Sequence, residues 1–187
     1  MPENTSGAED PRGLSAVGLT RLSQRLSFPP GEEALYRSIL RLVDLGPEDE
    51  FVIAPCGRGV GALFLAETTG AAGAGSDPDD VMVSVANRRA RGADLAGRLH
   101  FDTSPPDDLP YQDEVFDVAL GTMELSTTGD PAAAVGELVR VTRPGGVIVL
   151  VQLVWTRKPD PGTAEDLVER LGARPRLVME WKQLLLK

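Results

Sequence analysis

Sulfur and imidazole ligands are nearly absent from this chain, whose 187 residues include one cysteine and one histidine. One thiol cannot close a disulfide within the chain, and one residue of each kind does not make a Cys/His metal site, so no metal is expected. Long apolar runs are missing as well. The longest, Val147 to Trp155, falls far short of the roughly 20 residues that cross a bilayer. The opening MPENTSGAEDPRG lacks the basic and apolar regions of a secretion signal. The expectation is a cytoplasmic chain with no membrane partner. Cationic charge is scarce too: 19 Lys and Arg face 28 Asp and Glu, for a net charge of −9. Such a surface repels phosphate backbones, which argues against a nucleic-acid substrate and for small molecules or proteins as targets.

What is present suits a globular core. At this length, 42% apolar residues predict one domain, here residues 14–187, preceded by a polar, Gly- and Pro-containing tail over residues 1–13 that is expected to be disordered. Leu14, Val17, Leu19, Leu22 and Leu26 fall at helical spacing before Phe28-Pro29-Pro30-Gly31, giving either a packing helix or a lid. A helix is expected from Glu32, with Leu35, Ile39, Leu40, Leu42 and Val43 apolar, ended by Gly46-Pro47. Strands and helices then alternate. Strands are expected at Phe51–Ala54, Ala71–Ser76, Leu99–Asp102, Val115–Gly121 and Val147–Leu153, with helices at Gly61–Glu67, Asp79–Arg91 and Pro131–Val141. Ala71–Ser76 lacks β-branched residues and is assigned only because Asp77 should follow a strand. Two more helices, Ala164–Leu171 and Pro175–Lys187, end the chain. Such alternation predicts a parallel, doubly wound sheet with right-handed crossovers and a ligand crevice at the carboxyl ends of its central strands.

The chemistry concentrates at those ends. Phe51–Ala62 reads FVIAPCGRGVGA, an apolar strand breaking through glycines into a helix, which lets backbone N–H groups approach a nucleotide-like ligand. Asp77, in GSDPDDVM, lies roughly 20 residues on, where a carboxylate can grip ribose hydroxyls. Asp107–Ala119 reads DDLPYQDEVFDVA, an acidic turn entering a strand, and Glu137–Leu150 reads ELVRVTRPGGVIVL, with a Pro-Gly-Gly turn before another strand. Gly57-x-Gly59-x-x-Ala62 also fits a dinucleotide fingerprint.

Taken in order and spacing, the glycine loop, Asp77, the LPY…FDVAL segment and the RPGG turn resemble class I S-adenosylmethionine-dependent methyltransferases of the type 11 kind, over Glu32 to Val154. The resemblance implies a Rossmann-like α/β fold with S-adenosylmethionine as cofactor and a small-molecule methyl acceptor. It puts Cys56, Gly57 and Gly59 beside the methionine and ribose portion, Asp77 on the ribose hydroxyls, and Pro78 and Met82 near the adenine. Glu124, after the fourth strand in GTMELST, is the candidate catalytic base.

The chain departs from the family pattern at three places. Ile53 stands where the family has an acid, and Pro105 and Pro106 stand where it has its adenine-binding Asp and N–H donor. Proline offers neither a side-chain acceptor nor an N–H, so both adenine hydrogen bonds are lost unless Asp107 or the segment's register compensates. With two helices expected after the fifth strand, the family's last two strands are expected to be absent. That leaves the fifth strand as an apolar edge, where a second copy or a partner chain is expected. A second reading therefore stands beside the enzyme: a non-catalytic methyltransferase-like regulatory or assembly subunit.

Overall fold

The computed structural model describes residues 32–186, so the expected tail and the helix proposed near Leu14–Leu26 lie outside the described residues. Helix α1 (Glu32–Leu40) leads into strand β1 (Glu50–Ala54), followed by α2 (Val60–Thr69), β2 (Ala72–Asp77), α3 (Asp80–Gly92), β3 (Leu99–Thr103) and β4 (Phe116–Gly121). A short 3-10 turn (Met123–Thr127) precedes α4 (Pro131–Val141) and β5 (Thr142–Leu150). Strands β1 to β5 form one sheet in the order β3-β2-β1-β4-β5. Every pair is parallel, as the βα alternation predicts.

Both faces of the sheet are covered, which is why β1 reads as an unbroken apolar run rather than an alternating one. Phe51, Ile53, Leu99, Phe101, Val118 and Leu120 face α1, α2 and α3. Val52, Ala54, Ala74 and Ala119 face the other layer, built on Ala134, Val135, Leu138 and Val141 of α4. Strand β2 has no β-branched residue because its neighbours leave no room for one. A Cβ at Gly73 would lie 2.5 Å from the Phe51 ring, and one at Gly75 would lie 2.7 Å from Cys56 Cβ and 2.8 Å from Phe101. The large rings of β1 and β3 fill the space that β2 vacates.

Several boundaries differ from expectation for identifiable reasons. Asp77 is the last residue of β2 rather than the residue after it. RPGG is not a turn ahead of β5 but lies within it, as an irregularity between the pairs Phe116↔Thr142 and Val118↔Val147. Arg143 there pairs with Asp117 at 2.5 Å. α5 (Pro161–Leu171) begins earlier than expected because Asp160 caps it, accepting Thr163 N–H at 3.0 Å, with Pro161 at the first helical position. The last expected helix is shortened to α6 (Val178–Leu185). Arg176–Leu177, which was expected to be helical, forms β7 and pairs in parallel with β6 (Val154–Trp155) in a separate two-stranded ladder. Trp181 of α6 then packs beside α4.

A charged clamp fixes the loop between β3 and β4. Arg140 of α4 donates to the carbonyls of Leu109 (3.0 Å) and Tyr111 (2.8 Å) and to Asp113 (2.7 Å) and Glu137 (2.6 Å). Glu137 accepts the Leu109 N–H at 2.8 Å. The hydrogen bond from Arg140 holds the Glu137 carboxyl below the usual carboxylate range, and the same contacts raise the guanidinium. This clamp ties the LPY segment to the last turn of α4.

Candidate functional site

The chain leaves β1 through a cis Ala54-Pro55 peptide and turns across the ends of β1 and β2, with Cys56 N–H bonded to Ser76 O at 2.7 Å. Gly57 and Gly59 both hold positive φ, 53° and 74°, but they face different surroundings. A Cβ on Gly57 would meet nothing within 4 Å, whereas one on Gly59 would strike Ala86 Cβ at 2.8 Å and Phe101 at 3.1 Å. Gly57 therefore opens on the space a ligand needs, and Gly59 lets α2 close on α3 and β3. Arg89 reaches in from α3 to donate to Arg58 O at 3.2 Å. Its guanidinium is lowered by burial and by Arg58. Its neighbours Arg88 and Arg91 are exposed.

Asp77 closes the loop from the far side. Its Oδ2 accepts the Gly57 N–H at 2.9 Å and its Oδ1 accepts the Asp79 N–H at 3.0 Å. The residue is fully buried. Asp79 caps α3 through Val81 N–H at 2.9 Å. Ile53, 2% exposed, belongs to the core. An aliphatic residue is thus tolerated at that place, because the carboxylate that orders the glycine loop comes from β2.

Other expected contacts are distributed around this centre. Cys56 is half-buried, with Sγ 3.6 Å from Gly57 O. Pro78 is exposed at the rim, and Met82 is buried at 7%. Asp107 is exposed, while Pro106 is buried and Pro105 is not. Glu124 lies in the 3-10 turn after β4. Two hydroxyls close by, Ser76 Oγ and Ser104 Oγ, are buried without a hydrogen-bond partner, and Ser104 N–H bonds Asp77 O at 3.2 Å. An open cradle at Gly57, the buried carboxylate bonded to its N–H and two orphaned hydroxyls fit a polar, hydroxyl-bearing ligand such as a nucleoside.

Sequence reasoning missed Tyr111 as a wall of the site. Its hydroxyl donates to Gly75 O at 2.9 Å, and its ring packs edge-on against Phe116 and His100. Burial, followed by Asp102 and Cys56, pushes the phenol up, so it stays neutral. Thr122, Ser126 and Gln152 were missed as well, and short-range pattern carries no signal for residues that meet from separate strand ends. Tyr36 was read only as part of a helix, yet a Cβ on Gly61 of α2 would fall on its hydroxyl.

Comparison with known proteins agrees with this geometry. The family profile described as a methyltransferase domain matches residues 54–150, just over half of the chain. Methyltransferase GfsG of Streptomyces halstedii is 29% identical over 135 residues, covering 72% of this chain and 47% of the relative. The 27-O-demethylrifamycin SV methyltransferase of Amycolatopsis mediterranei is 31% identical over 143 residues, covering 75% and 52% respectively. The chain thus spans about half the length of these curated relatives. A geranyl diphosphate methyltransferase solved with its S-adenosylmethionine superposes with a TM-score of 0.76 at 21% identity, covering 83% of this chain and 63% of that one, which shows the shared fold. With its glycine loop, β2 carboxylate and strand order in place, the chain belongs to the methyltransferase-domain family of class I S-adenosylmethionine-dependent enzymes.

Proposed function

We propose that this chain binds S-adenosylmethionine at the glycine loop and transfers its methyl group to a small-molecule acceptor. The observation that carries this reading is the pairing of Gly57, with open space where a Cβ would stand, and Asp77, bonded to its N–H. Gly57 and the start of α2 receive the methionine and ribose portion, Asp77 the ribose hydroxyls, and Pro78 and Met82 flank the adenine. Ser104 and Asp107 flank the two prolines in the sequence, and Asp107 takes the adenine contact. When bound, the cofactor supplies an electrophilic methyl on a sulfonium; the acceptor's electron pair forms the new bond as the carbon–sulfur bond breaks to a neutral thioether. The protein's part is to hold and orient, because proximity carries most of such a displacement. Glu124, in the turn after β4, is the proposed base for the proton an oxygen or nitrogen acceptor releases.

The small-molecule assignment rests on the acidic surface and on the rifamycin methyltransferase relative. We place the reaction in the cytoplasm, without nucleic acid. No helix among the described residues is long and apolar enough to cross a membrane. One observation favours the second reading, a non-catalytic subunit: Asp77 is fully enclosed, with both oxygens already bonded. Calorimetric titration with S-adenosylmethionine and S-adenosylhomocysteine separates the two. Micromolar binding that weakens at least about tenfold in Asp77→Ala, the equivalent of about 1.4 kcal/mol, is the expected result. A folded chain that binds neither compound would leave the non-catalytic reading standing.

A further inference from the structure

Apart from the cofactor loop, a chain of hydrogen bonds crosses the carboxyl ends of β1, β4 and β5. Thr122, which follows β4, donates its hydroxyl to Pro55 O at 2.7 Å and its N–H to Ala54 O at 3.3 Å. Gln152, just beyond β5, donates through Nε2 to Thr122 O at 2.7 Å and Gly121 O at 3.2 Å. Its Oε1 accepts the Ser126 hydroxyl at 3.0 Å. Ser126 O accepts Arg174 N–H at 2.8 Å, linking the C-terminal elements to the same turn. Two carbonyls on one side of the amide and a hydroxyl on the other fix which way it points.

The placement has a physical reason. The β4–β5 ladder ends at the Gly121↔Leu150 pair, with Val151 N–H as the last backbone donor to Gly121 O at 2.9 Å. Beyond it, Thr122 O has no strand to pair with, and the Gln152 side chain supplies the missing donor. We propose that Gln152 is a positioning residue for methyl transfer, holding the Thr122–Thr127 turn, which contains Glu124, against the glycine loop through Thr122 and Pro55. The inference rests on the methyltransferase reading of the same site. An in-line displacement tolerates little misplacement, with a shift of about 1 Å worth on the order of a hundredfold in rate. An amide with all its groups engaged is suited to setting that distance.

Hydrogen exchange on the full chain tests this, with S-adenosylhomocysteine as the probe. Gln152→Leu strands Thr122 O and the Ser126 hydroxyl, while Gly121 O keeps the Val151 N–H, with little change in bulk. Exchange at residues 122–128 is expected to accelerate by about tenfold or more, while the amides of β1 and α4 keep their protection. In the parent, saturating S-adenosylhomocysteine should slow exchange in both 56–59 and 122–128. In Gln152→Leu the slowing should be confined to 56–59, with calorimetric affinity held within about threefold, since the cofactor contacts remain intact. Unchanged exchange at 122–128, or a general loss of protection across the sheet, would overturn the assignment. So would ligand-induced slowing that still reaches 122–128 in the variant. If Gln152→Leu fails to fold, Ser126→Ala, which removes only the Oε1 partner, is read in the same way. Absence of any S-adenosylhomocysteine binding by the parent would overturn the cofactor reading instead, and exchange in the ligand-free proteins would still decide whether Gln152 holds the turn.

Discussion

Two glycines two positions apart divide the labour of the loop. Either one changed to alanine forces a Cβ into left-handed backbone at a cost of about 1–2 kcal/mol, but only at Gly59 does the new carbon also strike Ala86 and Phe101. Urea unfolding should therefore rank the parent above Gly57→Ala and Gly57→Ala above Gly59→Ala, and equal losses would contradict the division. The Arg140 clamp makes a second prediction at this scale. Arg140→Met removes charged hydrogen bonds worth about 1.5–3 kcal/mol and leaves Glu137 without its cation. Glu137 titrates lower folded than unfolded, so its contribution is complete above the unfolded value of about 4.3 and is lost as pH falls through the lower folded value. The urea-midpoint gap between parent and variant should be widest near about pH 7 and narrow as Glu137 is protonated in acid, the share due to the Leu109 and Tyr111 carbonyls remaining.

The order of the elements was legible in the sequence because apolar runs, glycine turns and capping residues repeat at βα spacing. Pro131–Val141 is a helix with the predicted ends, since Asp130 caps it, accepting the N–H groups of Ala132 and Ala133, and proline begins it. What was not legible depended on contacts between distant residues. β2 carries no strand propensity of its own and exists because the rings of Phe51 and Phe101 need its glycines. RPGG reads as a turn locally, but β4 keeps it in the ladder through Asp117 and Arg143. Asp77 was recognised by its position, whereas its role as organiser of the glycine loop in a chain with Ile53 follows only from the Gly57 contact. Gly75→Val is the element-scale test: its branches would enter space held by Cys56 and Phe101, with overpacking costing about 1–3 kcal/mol. Thermal unfolding reads the result, and a neutral outcome would show that β2 is not packed as described.

At the scale of the molecule, the five-stranded sheet ends on β5, whose Val147 is 41% exposed. The account proposed for that edge is association with a second copy or a partner chain. Sedimentation should then show a concentration-dependent dimer, or a complex with a co-purifying chain, that is lost on Val147→Lys, because a charge in an edge strand opposes pairing. A monomer at every concentration, with no partner, would remove the proposal and leave the site untouched. The proposed cofactor position lies where the glycine loop meets the β2 carboxylate, and backbone-resolved NMR titration with S-adenosylhomocysteine addresses it most directly. The account predicts saturable shifts at the amides of Gly57, Gly59 and Asp79, with the same midpoint at each and loss of all three responses in Asp77→Ala. Shifts that saturate elsewhere on the folded chain, or none at all, would contradict it.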